Sequence, residues 1–155
     1  MKRKTIGYLI AGMLIILADQ LTKWIAVNYW YDGYLVTSFL SFRVTINRGI
    51  SWGLLSSAET NTLLFLAISF CILLLTFGLA VYAFRRYKQG YSVYGELLVV
   101  SGSCSNIIDR CFQKGVIDFI VVHWHDYVWP VFNLADMAIV CGVGIMFFSY
   151  LTRNE

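Results

Sequence analysis

Apolar residues run along this chain in stretches long enough to cross a bilayer, whose hydrocarbon core of roughly 30 Å takes about 20 helical residues. Three stretches meet that length plainly, at about 5–27, 61–84 and 132–151. A fourth, at about 93–111, is interrupted by Glu96, Ser101, Ser103, Ser105, Asn106 and Asp109. Such a helix is poor in lipid alone and is expected to turn its polar side chains toward other helices or a wet cleft. Gly95 and Gly102, with the neighbouring serines, supply the small side chains that allow close helix contact.

Two connections break this pattern. In 34–55, Phe42, Val44 and Ile46 alternate with Arg43, Thr45 and Asn47, a period of two that predicts a strand and hence a small extracytoplasmic sheet on the membrane surface. Trp30, Tyr34 and Trp52 suit the aromatic belt of such a surface. In 112–131, Val121, Val122, Trp124, Tyr127, Val128 and Trp129 precede the only proline, Pro130, and an amphipathic surface segment acting as a lid is expected. The pattern thus predicts an all-α integral membrane protein in one domain, 1–155. Four transmembrane helices carry a small β-sheet and an amphipathic surface segment.

Composition agrees: 59% of the 155 residues are hydrophobic and 14% charged, too few charges to cover a soluble domain of this size. The basic residues gather before the first stretch (Lys2, Arg3, Lys4), between the second and third (Arg85, Arg86, Lys88) and after the fourth (Arg153). Four spans place these on one side, which the basic excess marks as cytoplasmic together with both termini. The net charge of +3 is then a topological signal, and with no Gly-rich phosphate loop or basic-aromatic RNA pattern, no nucleic-acid partner is expected. The basic, apolar start resembles a cleavable signal peptide, but after Asp19-Gln20-Leu21-Thr22-Lys23 more apolar residues follow without an A-x-A-like site. A retained helix is expected. Cys71, Cys104, Cys111 and Cys141 lie in or at the ends of the stretches with no C-x-x-C pair, as small apolar fillers.

Asp19, Asp109, Asp118 and Asp136 lie in or at the ends of spans on the outer side, where a carboxylate is costly unless paired, hydrogen-bonded or protonated. Asp19 and Lys23 share one helical face as an i, i+4 ion pair. Asp109 and Arg110, preceded by Asn106, suit anchoring of the surrounding backbone. Asp118 and Asp136 have no adjacent cation. Two carboxylates brought close share one proton, and such a pair hydrolyses peptides by activating water with one member and protonating the scissile carbonyl with the other. The residues alone leave two other readings open: a proton relay in a small proton-coupled transporter, or carboxylates that hold helices together. His123 and His125 form an H-x-H without a third zinc ligand, and a serine or threonine nucleophile lacks its lysine, because Lys23 has Asp19.

The motifs Asp19-Gln20-Leu21-Thr22-Lys23, Asn47-Arg48-Gly49-Ile50-Ser51-Trp52, GSCSNIIDR at 102–110, VIDF at 116–119 and FNLAD at 132–136, taken in order, resemble the motif set of lipoprotein signal peptidases, also called type II signal peptidases. The resemblance covers about 5–151. It implies that Asp118 and Asp136 are the catalytic pair, and that Asp19, Lys23, Asn47, Gly49, Asn106, Asp109, Arg110, Asn133 and Ala135 shape the site or hold the substrate. The implied enzyme is an aspartic endopeptidase of the bacterial cytoplasmic (inner) membrane, with its active site near the extracytoplasmic face. Its substrate is a diacylglyceryl-modified prolipoprotein, cut just before the lipidated cysteine. Membrane lipids are its other partners, no metal or organic cofactor is needed, and a monomer is expected. The family's sheet motif usually reads R-N-x-G-A-A, where this chain has Ile46, Ile50 and Ser51. The family usually has glycine before Asn106, where this chain has Ser105.

Overall fold

The computed structural model describes residues 2–49 and 62–152. Ile50, Ser51 and Trp52 lie outside them, as does the first residue of the expected second span. Among the described residues there are four helices: α1 (Lys2–Tyr29), α2 (Thr62–Lys88), α3 (Tyr94–Phe112) and α4 (Leu134–Leu151). Three of them, α1, α2 and α4, are long and apolar enough to cross a membrane.

The helix that is not so apolar, α3, packs against each of the other three. Its buried face carries Gly95, Glu96, Ser101, Gly102, Ser105, Asn106, Asp109 and Arg110. The other helices turn residues such as Leu9, Phe70, Leu75 and Val140 outward. Polar inside and apolar outside is the arrangement expected when the surrounding solvent is hydrocarbon, because each polar group then needs a partner within the protein. Close packing of α3 on α4 depends on missing side chains. A Cβ on Gly142 would lie 2.6 Å from the Gly95 carbonyl oxygen, and one on Gly102 only 2.5 Å from that of Ala135.

At one end of the bundle lies a four-stranded antiparallel sheet in the order β1 (Tyr34–Thr37), β2 (Leu40–Asn47), β3 (Val116–Trp124), β4 (Tyr127–Val128). Segment 112–131 is therefore not an amphipathic surface segment. It contributes an inner strand, β3, in which Val116, Ile117, Asp118, Phe119 and Val121 are all buried. The reason is packing on both faces, where the ring of Trp30 at the end of α1 stacks on Phe42 at 4.3 Å between centroids and lies 6.2 Å from Phe119. The turn end of the β3–β4 hairpin, with Trp124, Tyr127 and Trp129, is an exposed aromatic surface. In β2, Thr45 stands opposite Asp118 and Asn47 opposite Val116, which fixes the level of Asn47 relative to the β3 carboxylate.

At the opposite end, Glu96 is buried against Arg86, and the Thr5 and Tyr87 hydroxyls meet at 2.6 Å. The four cysteines are free: Cys71, Cys111 and Cys141 are exposed on the helices and Cys104 is half-buried.

Candidate active site

Every candidate site residue lies at the sheet end of the bundle, in one hydrogen-bonded network. Its base is ionic. The Lys23 ammonium lies 2.7 Å from Asp19 Oδ2, 2.7 Å from Asp109 Oδ2 and 2.8 Å from Asn106 Oδ1, so all three of its N–H donors are used. Asp19, Lys23 and Asp109 are each at most 2% exposed. Burial of this kind is tolerated only when charges and lone pairs are both met. Asp19 Oδ1 accepts from the Ala135 backbone N–H at 2.8 Å, and its Oδ2 accepts from the Ser105 hydroxyl at 2.7 Å. Asp109 accepts from Gln20 Nε2 at 2.8 Å and from the Ile117 backbone N–H at 3.1 Å. Four elements, α1, α3, β3 and the start of α4, are thereby tied to one cation.

Two asparagines carry the network upward. Asn133 caps α4: its side-chain oxygen accepts from the Asp136 N–H at 2.9 Å, and its own N–H reaches back to Asp136 Oδ2. This reciprocal capping box sets both the start of the helix and the Asp136 side chain. The same Asn133 amide donates to Asp118 Oδ1 at 2.6 Å. Asn106, held by Lys23, donates to Asp136 Oδ1 at 3.0 Å. The second Asp118 oxygen accepts from Asn47 Nδ2 at 2.9 Å, while Asn47 Oδ1 accepts from the Gly49 N–H at 2.9 Å. Asp118 and Asp136 thus approach from a strand and a helix and are held by the same asparagine.

Their surroundings differ. Asp118 is 2% exposed. Burial, and then the nearby Asp136 carboxylate, push its carboxyl from 3.8 up to about 7, against the opposing hydrogen bonds from Asn47 and Asn133. Asp136 is half-buried and lines a cleft of about 270 Å³ whose polar lining also includes Asn47, Asn106 and Arg110, alongside apolar residues of α2 and α4 such as Ile72, Leu79 and Ile139. Asn47 belongs both to this cleft and to the Asp118 hydrogen-bond set. Counting the network's charged side chains, four carboxylates (Asp19, Asp109, Asp118, Asp136) face two cations (Lys23, Arg110). One bound proton halves that imbalance.

Arg110 and Asp109 both anchor backbone. Arg110 Nη2 donates to the Gly49 carbonyl at 2.6 Å, and its guanidinium lies over the Phe65 ring. His123 pairs with Ser41 at 2.8 Å, whereas His125 occupies the exposed β3–β4 turn at φ 54°, so the two histidines do not converge. Two further participants, Gln20 and Ser105, lie outside the site residues expected from the sequence. Gln20 Nε2 also reaches the Ser105 hydroxyl at 3.0 Å. The signal for Gln20 was its place beside Asp19 and three before Lys23; for Ser105 it was the hydroxyl one residue before Asn106 on a helix already read as polar-faced.

The comparisons with known proteins fit this geometry. Residues 11–152 match the family model described as signal peptidase (SPase) II. A lipoprotein signal peptidase of Francisella tularensis subsp. novicida is 33% identical over 99% of this chain and 96% of its own. One from Rickettsia akari is 39% identical over 88% of this chain and 70% of its own. A solved bacterial membrane enzyme shares the fold at a TM-score of 0.76 and 23% identity, over 96% of this chain and 90% of that one. The chain belongs to the signal peptidase II family of bacterial membrane peptidases.

Proposed function

We propose that this protein is a membrane-embedded aspartyl endopeptidase that removes the signal peptide from diacylglyceryl-modified prolipoproteins, cutting just before the lipidated cysteine. The observation that carries the reading is the convergence of the Asp118 and Asp136 side chains on Asn133, next to a cleft with apolar walls. Asp118, the more buried of the two and raised toward neutrality by that burial, donates to the scissile carbonyl oxygen. Asp136, facing the cleft, takes a proton from the attacking water. No covalent acyl-enzyme forms: as the C–N bond breaks, Asp136 passes the proton it took from water to the leaving nitrogen, and Asp118 takes back a proton from the hydroxyl of the tetrahedral intermediate, which restores both carboxyls. Asn106, Asn133 and Asn47 act by orientation, each fixing a carboxylate oxygen so that the remaining lone pairs point toward the reacting atoms. No metal or organic cofactor enters the scheme.

In this reading α3 crosses the membrane as a fourth span. Its polar face is covered by α1, α2 and α4, which removes the objection that its composition raises. Both termini and the α2–α3 link then lie on the cytoplasmic side, and the sheet and site lie at the extracytoplasmic face. The lipid chains of the substrate lie along apolar helix faces, and this confinement holds the scissile bond at the depth of the carboxylates, so that binding contributes to rate. The enzyme acts as a monomer.

The test is to incubate purified protein with a diacylated precursor and with its unlipidated twin. Cleavage of the first alone is expected. Asp118→Asn and Asp136→Asn should each insert and fold yet lose about 10³-fold or more in turnover. Near wild-type cleavage by either variant would refute the assignment, and equal cleavage of both precursors would refute the role of the lipid.

A further inference from the structure

The bundle end remote from the sheet carries a feature that cleavage does not use. There α1, α2 and the start of α3 diverge around an open cleft of about 700 Å³ lined by Lys4, Tyr8, Tyr87, Lys88, Tyr91 and Tyr94 among others. Its walls are braced. Tyr8 packs edge-on against Tyr87 at 5.7 Å and at a tilt against Tyr94 at 5.0 Å between centroids, and Thr5 meets the Tyr87 hydroxyl. The chain leaves α2 through Gly90 at φ 87°, where the Gly90 N–H bonds the Tyr87 carbonyl and the Tyr91 N–H bonds the Arg86 carbonyl. This left-handed closure ties up carbonyls that would otherwise face an approaching anion. The charge is uneven. Arg86 is neutralised by the buried Glu96, but among the described residues no carboxylate lies within ion-pair reach of Lys4 or Lys88, both of which are exposed.

Helix length fixes the depth of this cleft. At 28 and 27 residues, α1 and α2 are about 40 Å long, about 10 Å more than the hydrocarbon core needs. The first turn of α1 and the last turn of α2 therefore stand in the headgroup layer, where tyrosine rings also prefer to lie. We propose that this cleft binds the phosphate of an anionic phospholipid in the leaflet at that end of the bundle, between the Lys4 and Lys88 ammonium groups, with the tyrosine rings against the glycerol and upper acyl chains. The site is independent of the peptidase chemistry, and its test does not measure cleavage.

The experiment is native mass spectrometry of the full-length protein in zwitterionic detergent, titrated separately with phosphatidylglycerol, phosphatidylcholine and inorganic phosphate. Wild type should retain phosphatidylglycerol at least tenfold more readily than phosphatidylcholine. The K4Q/K88Q pair should weaken that retention about 30-fold, each lysine near the surface being worth about a fivefold factor. R3Q, which removes an exposed charge outside the cleft, should leave it unchanged. K4R/K88R, which keeps both charges, should retain the lipid and separates loss of charge from loss of fold. Equal retention of the two lipids, full retention by K4Q/K88Q, loss in K4R/K88R, or an R3Q effect as large as that of K4Q/K88Q overturns the site. Displacement of the lipid by millimolar inorganic phosphate overturns its identity as a lipid site.

Discussion

Asp118 shows how one residue's surroundings set its chemistry. Its carboxyl is raised to about 7 chiefly by burial, so near neutral pH it holds a proton for about half the time while remaining within a network that positions it. The folded chain binds that proton more tightly than the unfolded chain, whose carboxyl titrates near 3.8. Between those values the unfolded state therefore binds fewer protons, and the Asp118 contribution to stability falls as pH rises from about 4 to 7, by up to about 4 kcal/mol. Thermal unfolding in detergent should show the wild type losing stability from pH 5 to pH 8, with a flatter dependence in Asp118→Asn. Cleavage should decline above about pH 7 as the donor proton is lost. Identical pH slopes in the two proteins would show that Asp118 does not carry the proton.

Elements differ in how openly the chain announces them. The apolar stretches of α1, α2 and α4 are plain in the sequence because lipid-facing residues are apolar all round. Strand β2 is legible because its alternation survives in part: Val44 is half-buried, while Arg43 and Thr45 are exposed. Strand β3 reads in the sequence as a surface segment for a physical reason, since a strand buried on both faces loses the period-2 pattern. Its run Val116-Ile117-Asp118-Phe119 reads as apolar, with one acid that only the neighbouring strand and α4 explain. The aspartates were legible as unusual residues, but the Asn133 bridge between Asp118 and Asp136 was not, because capping and long-range contact are decided in three dimensions. At the α3–α4 contact, Gly102→Val would push a side chain into the Ala135 carbonyl, one residue from Asp136. Overpacking of this sort costs about 1–3 kcal/mol. It should also lower turnover by displacing the first turn of α4, whereas Gly78→Val, at a position with open space around it, should do neither. A Gly102→Val protein with normal melting and turnover would mean that the two helices adjust freely.

On the scale of the whole molecule, the site stands on a buried charge cluster at the sheet end of the bundle, shared by several elements rather than carried by any single one. Lys23 compensates Asp19 and Asp109 at once, and through them and Asn106 it reaches Ala135, Ile117 and Asp136. An apolar replacement leaves two carboxylates buried beside one another with no cation between them, and breaking a buried pair by removing one partner typically costs about 3–5 kcal/mol. For a chain of this size Lys23→Met should lower the melting temperature by roughly 10 °C or more, and activity should fall with it because Asn106 loses its anchor. Removing charge on the other side should restore part of the loss. Lys23→Met combined with Asp19→Asn, which keeps an oxygen for the Ala135 N–H, should melt above Lys23→Met alone, giving a coupling of about 1–3 kcal/mol in a double-mutant cycle. If the losses simply added, the lysine and aspartate would be independent contributors. Asp118 and Asp136 would then owe their placement to the α4 cap and the sheet register, and turnover in Lys23→Met would survive wherever the protein stayed folded.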